Sequence, residues 1–265
     1  MKKMRFWNKP EISVIMPALN EEANILPAVD NVLKAFEYFS MTGEIIVVND
    51  GSMDRTGELV DGVIEEGKPV NMIQHDVPCG IGASFWEGVD NASGDVVIML
   101  PGDNENDPWE IFRYHELLKH VDIVVPFVFN KEVRSLFRNA LSFVYRFIIN
   151  TTFLVNLNYT NGTILYRKSI LKDLNHREGG FFFQTDILIR VVKKGYLFAE
   201  VPYRLGLRAN QTSKAVSFPS LLQVIKGYLR LVKSSYLKNG RRKNPRFSRD
   251  SLTKIRRRAK ESFKR

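Results

Sequence analysis

This sequence has little cysteine and no long apolar run. Its one cysteine among 265 residues, Cys79, excludes an internal disulfide, which makes a reducing compartment the expected one. No stretch reaches the roughly 20 uninterrupted apolar residues that a membrane-spanning helix needs. The basic N-terminus meets only a short apolar run before Pro17, too short for the core of a secretory signal. We therefore expect a cytoplasmic protein.

Positive charge is abundant but unevenly placed. The formal net charge is +10, and sixteen of the 39 lysines and arginines lie in residues 226–265, beside only two acidic residues. Such a region suits an anionic membrane surface or nucleic acid, whereas the net acidic charge of the remainder argues against a nucleic-acid groove in the main body. Residues 238–265 also lose apolar periodicity, and we expect them to be partly disordered when free.

Short apolar runs alternate with amphipathic helical patterns along the first half of the chain. The pattern predicts helices that begin near Asn24, Asp54 and residue 82, between strands at residues 12–16, 44–48, 70–74, 95–100 and 121–128. Strands that alternate with helices are typical of an α/β fold whose sheet is mostly parallel and doubly wound. Ligands bind such sheets beyond the carboxyl ends of the strands, and residues 20–21, Asp50 and residues 103–105 each follow a strand.

Two segments are amphipathic without being long enough and apolar enough to span a bilayer. In residues 132–157, Arg138 and Arg146 interrupt an otherwise apolar pattern, and residues 218–237 repeat the design. An apolar stripe opposite cationic side chains is typical of a helix that lies in a membrane interface. A half-buried domain helix is the alternative for residues 132–157.

The motifs together resemble the family 2 glycosyltransferases, and within them the polyprenyl- or dolichol-phosphate sugar transferases. The resemblance covers about residues 11–215, beginning with residues 17–22 (PALNEE) and 47–54 (VVNDGSMD). It implies the GT-A fold, a nucleotide-diphosphate sugar as donor, and a divalent cation as cofactor. The implied donor-binding residues are Pro17, Leu19, Glu21, Asp50, Gly80 and Gly82. Cys79 departs from a basic residue common near that position, and we interpret it as a small, partly buried thiol.

Residues 99–108 (MLPGDNENDP) occupy the place of the family's aspartate-any-aspartate metal motif. If the motif is matched with a gap of one residue before Pro108, Asp103 and Glu105 take the two aspartate positions. An ungapped match places Gly102 and Asn104 at those positions. A diphosphate leaving group needs a hard cation, for which carboxylates are the usual protein ligands. We therefore predict that Asp103 and Glu105 bind Mg²⁺ or Mn²⁺.

The resemblance extends to the acceptor-binding side of these enzymes, which is matched by residues 160–162 (TNG) and 180–188 (GFFFQTDIL). The resemblance implies that Asp103, Asp186, Arg208 and Lys214 are catalytic. The residues expected to contact the acceptor phosphate are Arg134, Arg138, Arg208, Ser213 and Lys214.

These inferences predict an inverting, metal-dependent hexosyltransferase that moves a sugar to a polyprenyl-phosphate lipid, peripheral on the cytoplasmic face of a membrane. Residues 1–215 are expected to form the catalytic domain, and residues 216–265 an amphipathic helix with a basic membrane-surface tail. One alternative is a family 2 enzyme that acts on a saccharide, with Asp186 as general base. The other is a non-catalytic module that binds membrane or nucleic acid, although a nucleic-acid partner is disfavoured.

Overall fold

In the described part of the chain, seven strands form one mixed sheet with helices on both faces. The computed structural model describes residues 9–130, 132, 135–204, 218–237 and 246–262. The strands are β1 (Ile12–Ala18), β2 (Gly43–Asp50), β3 (Val70–His75), β4 (Val96–Met99), β5 (Ile123–Val128), β6 (Leu165–Arg167) and β7 (Phe198–Tyr203). Their spatial order is β3-β2-β1-β4-β6-β5-β7. Only β6 runs antiparallel to its neighbours, so the predicted mostly parallel sheet is confirmed.

Nine α-helices are described, and a 3₁₀ turn (His115–Lys119) adjoins the fourth. They are α1 (Ile25–Tyr38), α2 (Thr56–Glu65), α3 (Ile81–Asn91), α4 (Pro108–Phe112), α5 (Leu136–Phe153), α6 (Lys168–Lys172), α7 (Phe183–Lys194), α8 (Phe218–Tyr236) and α9 (Leu252–Ser262). Helix α1 begins next to Asn24, as predicted. The side-chain amide of Asn24 donates to Glu21 Oε2 (2.9 Å) and does not cap the helix.

The strands contribute side chains to two hydrophobic cores, one on each face of the sheet. Along β2, Ile45 and Val47 point to one core while Ile46 and Val48 point to the other, as the two-residue period of a strand requires. One core packs beneath α1, α2 and α4. The other packs beneath α3, α5 and α7, and it also receives Leu231 of α8 and Phe247.

Residues 238–265 were expected to be partly disordered, and within them residues 246–262 are folded. This segment docks on the sheet through Asp122, which is fully buried just before β5. The Asp122 carboxylate accepts hydrogen bonds from the amides of Leu252 (2.7 Å) and Thr253 (3.0 Å) and from the Thr253 hydroxyl. A buried carboxylate needs such partners, so the start of α9 is part of the core structure.

Candidate functional site

The carboxyl ends of β1, β2 and β4 meet at one edge of the sheet. Ala18 pairs with Asn49 in the register between β1 and β2. The Gly102 amide donates to the carbonyl of Pro17 (2.9 Å), which continues the β1–β4 contact beyond the end of β4. The structure thereby brings three motif segments, residues 17–22, 47–54 and 99–108, to the same edge.

The loops after β1 and β2 are joined by reciprocal hydrogen bonds. The Asn20 amide donates to Ser52 Oγ (2.9 Å), and the Met53 amide returns a bond to Asn20 Oδ1 (2.9 Å). The Glu21 amide donates to Thr56 Oγ1 (2.8 Å). These bonds fix the rim on which Pro17 is buried, Glu21 is half-buried and Leu19 is exposed.

Asp50 organises the next turn of the rim. Its side chain is almost fully buried, and its two oxygens accept the amides of Cys79 (2.7 Å) and Gly80 (2.9 Å). Burial opposes ionisation of this carboxyl, but those amides and His75 together outweigh it and lower the pKa of Asp50 below its ordinary value. The carboxylate therefore stays ionised and holds residues 79–80 in place.

His75 lies between two carboxylates and was missed by sequence reasoning. Its Nδ1 is 2.7 Å from Asp50 Oδ1, and its Nε2 is 2.7 Å from Glu87 Oε2. Burial disfavours the imidazolium, yet the bonds to Asp50 and Glu87 prevail and raise the pKa of His75. The available signal was the strand register, because β2 and β3 pair in parallel and place Asp50 opposite His75.

Glycines let the start of α3 lie close to the loop that precedes the predicted acceptor-side motif, residues 180–188. Gly80 has a left-handed φ of 95°, and a Cβ on Gly82 would meet the carbonyl of Gly179 at 2.6 Å. The Ala83 amide donates to the Gly179 carbonyl (3.2 Å), and Trp86 Nε1 donates to the Glu178 carbonyl (3.2 Å). The amino end of α3 thus packs directly against the loop that leads into α7.

Asp103 and Glu105, the predicted metal pair, belong to one tight turn after β4. The Glu105 amide donates to Asp103 Oδ1 (3.0 Å), and Asn104 between them has a left-handed φ of 56°. Both acidic residues are half-buried. Two carboxylates on one turn suit Mg²⁺, which takes one or two protein carboxylates and completes its shell with water and substrate phosphates.

Within the described part of the chain, one other group offers mixed metal ligands. Asp50, His75 and Cys79 have ligand atoms that all lie within 4.8 Å of one another. Cys79 is exposed, which corrects the expectation of a partly buried thiol, and its amide rather than its sulfur bonds Asp50.

The acceptor-side residues are only partly within the described ranges. Asp186 on α7 is 1% exposed, and Arg190 donates to both of its oxygens (2.7 and 2.9 Å). With both oxygens buried in this pair, Asp186 is poorly placed to be the general base for a saccharide acceptor. Arg138 is half-buried on α5. Arg134, Arg208, Ser213 and Lys214 lie outside the described residues.

Two helices beside this loop turn apolar side chains outward. On α5, Arg138 and Arg146 are only half-exposed, while Leu136 and Phe137 are 88% and 76% exposed. On α8 the exposed apolar side chains include Leu221, Leu222, Ile225 and Leu229. Neither helix, nor any other in the described ranges, is long and apolar enough to cross a membrane.

Contacts tie both helices to the α7 region. Tyr145 of α5 shares a hydrogen bond with Thr185 of α7 (2.8 Å), and Thr185 donates in turn to the Thr160 carbonyl (3.1 Å). Arg230 of α8 pairs with Glu178 (2.5 Å), in the loop that touches α3. The outward apolar faces are therefore held in a fixed relation to the motif-bearing edge.

Solved structures with the same fold confirm the GT-A prediction. Glucosyl-3-phosphoglycerate synthase from Mycobacterium tuberculosis in complex with uridine diphosphate superposes with a TM-score of 0.63, at 21% identity, over 84% of this chain and 80% of that one. A complex of the same enzyme with Mn²⁺, uridine diphosphate and glucosyl-3-phosphoglycerate gives a TM-score of 0.61.

Curated relatives and a family model agree with the resemblance seen in the motifs. The chain is 29% identical over 170 residues to dodecaprenyl-phosphate galacturonate synthase of Rhizobium johnstonii, covering 62% of this chain and 50% of the relative. It is 27% identical over 235 residues to dolichol-phosphate mannosyltransferase of Pyrococcus furiosus, covering 84% and 64%. The chain thus spans between half and two thirds of their lengths. The model for glycosyl transferase family 2 matches residues 13–174, more than half of the sequence, and the chain belongs to that family.

Proposed function

We propose that this chain transfers a sugar from a nucleotide-diphosphate sugar to a polyprenyl-phosphate lipid at a membrane surface. The observation that carries the proposal is the pair of outward apolar faces on α5 and α8, fixed next to the motif-bearing edge. A lipid acceptor has to be met at a membrane, and exposed apolar area of this kind is a feature of proteins that bind one. The names of both curated relatives point to the same acceptor class.

The donor nucleotide is proposed to bind along the rim formed by Pro17, Leu19, Glu21 and the residue 79–82 turn. Leu19 offers an exposed apolar surface to a base or ribose. Asp50 acts on this site by holding the amides of Cys79 and Gly80, and the close packing of Gly82 fixes the start of α3.

A divalent cation, Mg²⁺ or Mn²⁺, fits the carboxylates of Asp103 and Glu105. When bound there, it would neutralise charge on the departing nucleotide diphosphate. The chain's own contribution is to hold two carboxylates on a turn anchored to β1 through the Gly102 amide.

The acceptor needs little activation by the protein. A phosphate monoester is largely dianionic near neutrality, since its second pKa is about 6, so in-line attack on the anomeric carbon with inversion does not require a strong base. Positioning and charge neutralisation remain, and we assign them to Arg134, Arg138, Arg208, Ser213 and Lys214. Both carboxylate oxygens of buried Asp186 accept hydrogen bonds from Arg190. This supports a phosphate acceptor over a saccharide acceptor, which would need Asp186 as general base.

We further propose peripheral attachment to the cytoplasmic face of a membrane, with residues 1–215 as the catalytic part and residues 216–265 contributing attachment. The described parts of residues 216–265 pack on the catalytic part through Leu231, Phe247 and Thr253. The two regions therefore share a hydrophobic core and differ in their proposed roles.

Transfer activity is tested by incubating the full chain with radiolabelled nucleotide sugars, a polyprenyl phosphate and Mg²⁺ or Mn²⁺, and extracting product into organic solvent. Asp103→Asn should lower the rate by about 10²-fold or more, since it weakens charge stabilisation at the leaving group. Asp61→Asn, at an exposed position on α2, is the matched control and should match wild type. Full activity in excess chelator would refute the metal assignment.

Membrane attachment is tested by sedimentation with lipid vesicles. Leu229→Ser removes an exposed apolar side chain from α8, and Ile255→Ser removes one of similar exposure from α9. Burying one such side chain contributes about 1.5–3 kcal/mol, so Leu229→Ser should weaken partitioning roughly tenfold or more while Ile255→Ser has little effect. Equal effects of the two would show that α8 does not contact the bilayer.

A further inference from the structure

A strongly basic cleft lies between the ends of α7 and α8 and one face of α9. It encloses a volume of about 1190 Å³. Among the described residues that line it, eight are lysine or arginine and two, Asp173 and Glu261, are acidic. Arg190 pairs with Asp186, which does not line the cleft, and the lining as a whole keeps a clear excess of positive charge. Such a concentration of like charge is repulsive unless an anion relieves it.

The cleft is at the opposite edge of the sheet from the family motifs. Lys193 and Lys194 end α7 just before β7 begins, and α9 is anchored at Asp122 just before β5 begins. Asp50, in contrast, is the last residue of β2, and Asp103 lies just beyond the carboxyl end of β4. Both strands run parallel to β5 and β7. Six strand residues at about 3.3 Å each separate the two edges by roughly 20 Å. The cleft is therefore not part of the donor rim.

Packing holds several of these cations in place. Lys254, Arg257 and Arg258 lie on one face of α9, at the spacing of neighbouring helical turns. The Arg257 guanidinium lies over the Phe247 ring at 4.5 Å, and Lys193 lies over the Tyr236 ring at 4.7 Å. Cations held by aromatic rings lose less entropy when they bind an anion, so the cleft is preorganised.

We propose that this cleft binds a ligand that carries more than one phosphate group. Closely spaced phosphates match both the excess of positive charge and the guanidinium groups, which bind phosphate oxygens in pairs. The phosphates can belong to a soluble polyphosphate or to anionic lipid headgroups, because Ser234 and Ser235 of α8 line the cleft while Tyr236 and Leu237, next in sequence, are exposed apolar residues. The proposal does not depend on sugar transfer, and neither its success nor its failure decides the transfer reaction.

The helix α9 provides a matched pair of variants. Lys254→Glu with Arg258→Glu reverses two charges that face the cleft, at positions four apart. Lys260→Glu with Arg256→Glu reverses the same two residue types, also four apart, at exposed positions that do not line it. Both variants change net charge equally, so diffuse attraction of anions falls equally in both, and only contacts inside the cleft differ.

The full chain is titrated calorimetrically with inorganic tripolyphosphate, and separately sedimented with phosphatidylcholine vesicles that contain cardiolipin. Relative to the Arg256/Lys260 control, the Lys254/Arg258 variant should bind at least about tenfold more weakly, since two charge-assisted contacts are replaced by repulsion. A difference with tripolyphosphate identifies a soluble source, and a difference with cardiolipin vesicles alone identifies headgroups. Equal loss in both variants, or no loss in either, overturns the proposal. If circular dichroism shows that the glutamate variant is unfolded, Lys254→Gln with Arg258→Gln gives the same test against the matching glutamine control.

Discussion

Replacing His75 with glutamine should destabilise the protein, and more strongly at pH 6 than at pH 9. The side chain is 10% exposed and spans Asp50 and Glu87, each at 2.7 Å. A hydrogen bond between charged groups contributes about 1.5–3 kcal/mol, and the Glu87 bond counts for less because that carboxylate is half-exposed to solvent. We therefore expect a loss of about 2–3 kcal/mol in the free energy of unfolding at pH 6, mostly from the Asp50 side.

The pH dependence follows from the raised pKa of His75. A histidine whose pKa is higher in the folded than in the unfolded state stabilises the protein fully below its ordinary pKa of 6.5. That stabilisation is lost as the pH rises through the raised value. The gap between wild type and His75→Gln should consequently shrink between pH 6 and pH 9, but not close, because neutral imidazole still donates one hydrogen bond.

Urea unfolding monitored by tryptophan fluorescence at both pH values measures this gap. His120→Gln is the control, since His120 is an exposed histidine beyond the 3₁₀ turn, and it should track wild type at each pH. A His75→Gln variant as stable as wild type at pH 6, or a gap that widens towards pH 9, would refute an imidazolium held between two carboxylates.

Two further changes test packing by thermal unfolding. Gly82→Ala should lower the free energy of unfolding by about 1–3 kcal/mol, because the added methyl group would collide with the Gly179 carbonyl. The control is Gly62→Ala on α2, which has open space around it and should be neutral or stabilising by up to about 1 kcal/mol. An unchanged melting temperature for Gly82→Ala would contradict the close contact. Thr253→Val should cost about 1–3 kcal/mol by removing the hydroxyl that donates to buried Asp122, and wild-type stability would mean that α9 is not anchored there.

The architecture was predictable where the chain signals it locally. Buried parallel strands are short apolar runs, and β1, β2 and β5 are runs of this kind, so their existence was accessible from the sequence. The three-residue strand β6 was not, because a period of two cannot be recognised in Leu165–Arg167. Its antiparallel pairing follows from tertiary context alone.

Long-range contacts account for what sequence reasoning missed in the site and the C-terminal region. The composition of residues 238–265 is that of a solvated tail, yet Asp122, about 130 residues earlier, supplies the partner that orders α9. His75 and Glu87 carry no motif of their own and gain meaning only from the register of β3 against β2 and the position of α3. Asp186 illustrates the reverse case, since its motif is clear but its pairing with Arg190 is visible only in three dimensions.

The salt bridge between Glu178 and Arg230 makes α8 and the amino end of α3 neighbours of one loop, because the carbonyls of Glu178 and Gly179 accept from Trp86 and Ala83. Thermodynamic linkage is reciprocal. If engagement of α8 by a lipid surface changes the affinity for a ligand at the start of α3 by some factor, that ligand must change the affinity of α8 for the surface by the same factor. Nucleotide-dependent membrane recruitment and membrane-dependent nucleotide affinity would then report the same coupling free energy.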